Sequence, residues 1–205
     1  MGFYREQVLP RLVDRACAVP GMEKWRAEVV EGLRGRVVEI GFGSGLNVEH
    51  YPADVDVVLA VEPAAVAKRL ARKRIAAARV AVEHVGTDGQ SLPIADVSCD
   101  AALSTFTLCT VPDPVRVLGE ILRVLRPGGS LHFLEHGISP DPRVAAWQRR
   151  LEPLQRRLAD GCHLTRDAAS LVTGAGFRLE RCDQAYANGP KAWSYFTLGV
   201  AVKPR

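Results

Sequence analysis

"VVEIGFGSGLN", residues 37–47, is the stretch on which the fold turns. An apolar run, Val37 to Ile40 with Glu39 inside it, breaks into a loop holding Gly41, Gly43 and Gly45. Glycine lets the backbone turn tightly and approach a ligand closely, at the mouth of the element that follows. A dinucleotide fingerprint asks for G-x-G-x-x-G/A, and its last place, counted from Gly41, holds the bulky Leu46. No GKS or GKT follows, which excludes a P-loop. The spacing here is GxGxG.

Outward from the loop, short strands alternate with helices. "RVVEI" (36–40), "VDVVLAV" (55–61), "RVAVEHV" (79–85), "DAALST" (100–105) and "SLHFLEH" (130–136) read as strands. Residues 64–78 and 113–125 read as helices, the second with Asp113 as N-cap and Pro114 in its first turn. "RPGG" (126–129) is a stop-and-turn signal. Such alternation means a parallel sheet with helices on both faces, and ligands bound at the carboxyl ends of its strands. Before it, residues 4–17 and 22–32 carry helical spacing, broken by "VPG" at 19–21, with Val8, Leu12 and Val13 on one apolar face. After it come helices over 143–159 and 164–176 and closing strands "FRLERCD" and "FTLGVAVK". With no linker and no repeat, residues 1–205 read as one domain.

Composition agrees. The chain is 47% hydrophobic and 24% charged, enough to bury a core and stay soluble. No run of about 18 apolar residues occurs, and the N-terminal "MGFYREQVLP" lacks a signal peptide's apolar centre. Five widely spread cysteines without a CxxC fit a reduced, cytoplasmic protein. A net charge of +4 does not by itself imply nucleic acid.

Two carboxylates extend the loop's case. Glu62 ends the second strand, 21 residues beyond Gly41, where it can accept both hydroxyls of a ribose. The competing reading is a helix-start glutamate on the helix dipole. Asp88 follows the third strand, placed for an adenine amino group, with the Gly89 N–H for the adjacent ring nitrogen. An Asp-Gly turn accounts for the same residues equally well.

These pieces, in this order, resemble the class I S-adenosylmethionine-dependent methyltransferases. The matching stretches are "VVEIGFGSG", "AVEP", "GTDGQSLPIADVSCDAALSTFTLCTVPDP" and "EILRVLRPGGSLHFLEHG". The resemblance implies an α/β, Rossmann-like, seven-stranded and mostly parallel sheet whose last strand is antiparallel, with helices on both faces. It implies S-adenosylmethionine as cofactor and S-adenosylhomocysteine as product. It places Gly41, Gly43 and Gly45 beside the methionine moiety, Glu62 on the ribose, and Asp88 and Gly89 on adenine. It puts Thr105 and Phe106 on the sulfonium side, and Glu39, Asn47 and Pro63 are expected among the cofactor-binding residues as well.

"GSGLNVEHYP", "STFTLCTV", "FLEHG" and "DGCHLTRD" look, more narrowly, like the methyltransferase-like alkyl thiol methyltransferases. Animal members of that family carry an N-terminal membrane anchor that this sequence does not show, so membrane residence is not expected to carry over. The resemblance implies a small hydrophobic acceptor, best a thiol. The competing readings are a phosphatidylethanolamine N-methyltransferase, a quinone-precursor methyltransferase at a membrane surface, or a non-catalytic S-adenosylmethionine-binding protein. Nucleic acid is disfavoured, because "STFTLC" stands where base methyltransferases carry Asn/Asp-Pro-Pro-Tyr/Phe.

Candidate acid–base residues are His136 at the end of the fifth strand, and Asp160 and His163 in the "DGCHLTRD" turn, whose Thr165 is the expected cap of the next helix. Each has a structural alternative, a strand-corner histidine or a capped turn. Cys109 reads as pocket lining, and no metal site is expected from the ligand spacing. The helix over 143–159 sets Val144, Trp147, Leu151, Leu154 and Leu158 on one face against five arginines, with Pro153 inside it. It is expected to pack on the domain, and is also a candidate peripheral membrane contact. Residues 1–34 are expected to form a helical lid, in which core or surface packing is the default role of Phe3 and Tyr4 and ligand contact the alternative, and 138–176 an acceptor-pocket insertion.

Overall fold

Strand β1 (Gly35–Ile40) pairs in parallel with β2 (Val55–Val61) on one side and β4 (Cys99–Thr105) on the other. The computed structural model describes residues 4–205, so Phe3 lies outside it. Beyond these strands stand β3 (Ala81–Gly86), β5 (Leu125–His136), β6 (Arg178–Tyr186) and β7 (Tyr195–Val202). The order is β3-β2-β1-β4-β5-β7-β6, with β7 antiparallel to both neighbours. The sheet is therefore the seven-stranded, Rossmann-like one expected. The chain steps outward from β1 to β3 and then returns to β4, so the ligand crevice of such sheets opens past the ends of β1 and β4.

The α-helices among the described residues are α1 (Leu9–Cys17), α2 (Met22–Val30), α3 (Ala65–Ala76), α4 (Pro114–Val124), α5 (Pro142–Leu158), α6 (Ala168–Gly174) and α7 (Lys191–Ser194), with a π-helical turn over Tyr4–Val8 before α1 and a 3-10 turn at Val48–His50. Among the described residues none is long and apolar enough to cross a membrane. Side chains alternate across each strand and so divide between two cores. On one face Val38, Ile40, Leu59, Val61 and Phe133 meet Val117, Leu118, Ile121 and Val124 of α4. On the other Val37, Val58, Ala60 and Leu103 meet Met22, Val29 and Val30 of α2. Each such Leu or Ile, fully buried, contributes about 1.5–3 kcal/mol. The same alternation turns Glu39 into the second layer, where it is buried. Asp113 caps α4 as expected, accepting the Arg116 N–H at 3.0 Å.

Four local expectations are corrected. "RPGG" does not separate α4 from the next strand: β5 begins at Leu125 and absorbs the turn as an irregularity between the Cys99–Leu125 and Ala101–Ser130 pairings. Helix α6 begins at Ala168 and is capped by Asp167, not Thr165, whose hydroxyl goes instead to Glu152. Helix α1 buries Leu9 and leaves Leu12 and Val13 exposed. Helix α5 buries Ala145 and Gln148, while Trp147, Leu154 and Leu158 stand 58, 56 and 53% exposed. Gln148 sets that rotation: its amide accepts the Ser139 N–H and donates to the Gly137 and Ala192 carbonyls, so the helix docks by a polar residue.

Candidate active site

At the mouth of β1, Gly41, Gly43 and Gly45 all take positive φ, between 59° and 75°. A Cβ on Gly41 would lie 2.1 Å from Thr107 Oγ1, so no side chain fits where the loop meets the segment after β4. Glu62 leaves β2 and turns back under the loop, one oxygen accepting the Gly43 N–H at 2.8 Å and the other the Ala64 N–H at 2.7 Å. Burial raises its pKa, partly offset by those two N–H groups. A carboxylate has about four lone-pair sites, so two backbone donors leave capacity for hydroxyls. Asp88 is exposed and accepts the Gln90 N–H at 2.8 Å, as its turn reading asks. Gly89 lies so close over β1 that a Cβ there would stand 2.8 Å from Ile40 Cγ2. Pro63 is exposed just past β2.

Beneath the loop runs a buried polar chain. Arg26 of α2 donates to Asn47 Oδ1 at 2.7 Å, and Asn47 Nδ2 donates to Glu39 at 2.6 Å and to Thr105 Oγ1 at 3.1 Å. The Tyr51 hydroxyl closes on the other Glu39 oxygen. Burial pushes the Glu39 carboxyl up to about 7 against the opposing pull of Tyr51, Asn47 and Arg26. Glu39 and Asn47 thus brace the loop from behind with polar atoms already engaged. Over the loop, Asp14 of α1 accepts from the Ser44 hydroxyl at 2.5 Å and from Arg74 at 3.0 Å.

Across the crevice, Glu135 organises the other wall. Fully buried at the end of β5, it accepts the N–H groups of Thr107, Leu108 and Cys109 and the Ser104 hydroxyl, at 2.8–3.1 Å. Phe106, held at φ +53°, packs at a tilt against His136 and edge-to-face against Phe196, with ring centroids 5.0 and 5.1 Å apart. His136 Nδ1 lies 3.7 Å from Cys109 Sγ and 3.9 Å from Cys162 Sγ, and the two sulfurs are 3.8 Å apart. The hydrogen bond between the thiols raises Cys109, with burial adding to the rise, and lowers Cys162 against the opposing effect of burial. His163 is directed elsewhere. Its ring meets Glu152 of α5 at 2.9 Å, while its N–H donates to the Cys109 carbonyl at 2.8 Å and pins the turn to the wall. Asp160 is exposed in the same turn at φ +48°.

A methyltransferase domain model matches residues 38–133. The chain is 33% identical to human thiol S-methyltransferase TMT1A over 181 residues, 82% of this chain and 70% of that protein. The chain belongs to the class I S-adenosylmethionine-dependent methyltransferases. Similarity to the rat thiol S-methyltransferase TMT1B is 37% over 145 residues, 69% of this chain and 59% of the relative. The chain thus spans 59% to 70% of these relatives' lengths. The fold also matches phosphoethanolamine N-methyltransferase 2 of Haemonchus contortus, solved with S-adenosyl-L-methionine, at TM-score 0.72 and 14% identity, over 99% of this chain and 59% of that one.

The donor of this methyltransferase class, S-adenosylmethionine, fits the cradle observed: a backbone loop whose Gly41 site admits no Cβ, with a buried carboxylate behind it. The sheet gathers Gly41, Gly43, Gly45, Glu62, Pro63, Asp88, Gly89, Thr105, Phe106 and His136 past the ends of five strands. Sequence reasoning missed Arg26, Tyr51, Glu152 and above all Glu135. A carboxylate inside the apolar "LHFLEH" was its one signal, because a buried charge is kept only where partners await it. The grouping of Cys109, His136 and Cys162 had no such signal.

Proposed function

We propose that this chain moves the methyl group of S-adenosylmethionine to a small hydrophobic thiol, a reading supported by the 33–37% identity to thiol S-methyltransferases. The wall around His136 supports a soft acceptor: it presents the rings of Phe106 and Phe196 and two cysteine sulfurs. Glu135, next in sequence, has both oxygens on backbone N–H groups and offers no anchor for an ammonium. Bound S-adenosylmethionine supplies a sulfonium-activated methyl and leaves as a neutral thioether. The chain's part is to hold acceptor and methyl in line and exclude water, which is mostly proximity and orientation. Glu62 fixes the ribose end, Asp88 and Gly89 the adenine end, and Phe106 divides donor from acceptor. His136 stands in the acceptor site, while His163 and Asp160 shape the turn that closes it. The N-terminal helices form the lid. Asp14 ties α1 to the Gly loop, and the Tyr4 hydroxyl donates to the Leu158 carbonyl at 2.9 Å.

A second reading, an acceptor taken from a membrane surface, draws on Trp147, Leu154 and Leu158 exposed on α5 among its arginines. S-adenosylhomocysteine release with a small alkyl thiol, and mass spectrometry of the product, decides between them. An S-methyl product lost in Glu62→Ala is the expected result. Intact donor binding, no S-methyl product and turnover only with anionic phospholipid vesicles would transfer the case to the second reading.

A further inference from the structure

The triangle of Cys109 Sγ, Cys162 Sγ and His136 Nδ1 has edges of 3.7, 3.8 and 3.9 Å. A disulfide needs its sulfurs at about 2.05 Å, so this pair is in van der Waals contact and unlinked. A tetrahedral zinc ion, with Zn–S near ~2.3 Å and Zn–N near ~2.05 Å, sets sulfur–sulfur edges of about 3.8 Å and sulfur–nitrogen edges of about 3.6 Å. The observed edges match those values. We propose that Cys109, Cys162 and His136 form a three-ligand site for a soft divalent cation of the zinc class, whose fourth position takes the sulfur of the acceptor thiol. The second half of that statement rests on the thiol reading above; the first does not.

The ligands are held in place by separate parts of the fold. Glu135 accepts the Cys109 N–H at 3.1 Å, fixing that residue at the start of the loop after β4. His136 sits in register with Phe196 of β7. The Cys109 carbonyl accepts the His163 N–H, which brings the 160–163 turn alongside and carries Cys162 with it. Thr110 Oγ1 lies 3.5 Å from Cys109 Sγ, an outer-sphere partner of the kind that orients a thiolate ligand. Among the described residues no fourth His, Cys, Asp or Glu atom joins the group, and three protein ligands with one open position is the arrangement of reactive zinc sites. Both cysteines are buried and His136 is half-buried beside Phe106, so the group borders the acceptor wall.

Two thiolates, one neutral imidazole and a dication sum to zero charge, which a buried site tolerates better than two bare thiolates. Coordination deprotonates an acceptor thiol outright, its proton passing to solvent. The acceptor sulfur's electron pair then forms the new S–CH3 bond as the donor's CH3–S bond breaks, those electrons returning to the donor sulfur. The acceptor becomes a neutral thioether, a weak ligand, and leaves. His136 acts here as a ligand through Nδ1 and not as a base.

The test uses the full chain, stripped by chelator and reloaded with cobalt(II) as a zinc probe, without donor. One cobalt per chain, with thiolate-to-cobalt charge transfer in the near ultraviolet and strong tetrahedral visible bands, is expected. Cys109→Ser, Cys162→Ser and His136→Gln should each weaken zinc by more than the ~10–100-fold typical of outer-shell changes. Cys182→Ser, at an exposed position on β6, should leave binding unchanged. His136→Gln, at the half-buried corner, keeps the test open if a cysteine variant fails to fold. Cobalt binding without thiolate charge transfer, or insensitive to all three substitutions, would overturn the site. Adding a small alkyl thiol should shift the visible bands; unchanged bands overturn the fourth-position assignment. S-methylation at full rate in metal-free protein overturns it too, yet leaves the proposed function standing. A normal cobalt spectrum with no S-methylation overturns the thiol reading and the fourth-position assignment together, and keeps the metal site.

Discussion

Around Gly41 the backbone itself makes the site, whereas around Cys109 side chains from three distant segments make it. The donor end is a loop whose conformation is written in consecutive residues: positive φ at Gly41, Gly43 and Gly45, and a carboxylate that catches an N–H of the same loop. The corner proposed for the acceptor depends on partners 26 to 53 residues apart, held by one buried carboxylate. Local geometry makes a reusable donor cradle. Side chains assembled from distant segments can vary without disturbing that cradle.

Four measurements press on that contrast, the largest effect first. Glu135→Ala leaves three backbone N–H groups and a hydroxyl of the acceptor wall without their acceptor. Urea unfolding should then report a loss of roughly 3–5 kcal/mol. A loss below about 1 kcal/mol would mean that the wall is held by something else. Gly41→Ala places a methyl against Thr107 at φ +69°, where the loop meets the segment after β4. Calorimetry with S-adenosylhomocysteine should show affinity reduced more than ~100-fold, about 3 kcal/mol.

Glu39 has a folded pKa of about 7, above its ordinary 4.5. Between those values the folded state holds a proton that the unfolded state has released, so stability falls as pH rises from 4.5 to 7 and levels off above. Glu39 should contribute roughly 3 kcal/mol of that fall in the parent chain, a share lost in Glu39→Gln while the buried carboxyls of Glu62 and Glu135, also raised, keep theirs, as urea titration across that range checks. The smallest effect belongs to His163→Gln. It removes a pair with Glu152 that Thr165 still partly satisfies, and should cost under about 1 kcal/mol while leaving the methylation rate within about threefold. A hundredfold rate loss would return His163 to the acceptor chemistry.

The sheet and its donor loop were legible because their signals are short-range: apolar runs of strand length, a GxGxG turn, and a carboxylate one strand later. The caps show where legibility ends. Asp113 was found because its partner lies three residues on. Thr165 was misplaced because Glu152, on another helix, takes its hydroxyl. The face of α5 was misread for a similar reason: five apolar residues mark a stripe, but Gln148, through contacts with Gly137, Ser139 and Ala192, decides which side faces the domain.

The sequence by itself determined the α/β alternation, the strand ends at which a ligand binds and the nucleotide loop, since each depends on residues adjacent along the chain. Only the tertiary structure decided what Glu135 holds, that Glu39 titrates near neutrality, and that Cys109, His136 and Cys162 share one corner. Those facts depend on which strand ends lie side by side and on how much water is excluded there, and neither quantity is carried by the spacing of residues along the chain.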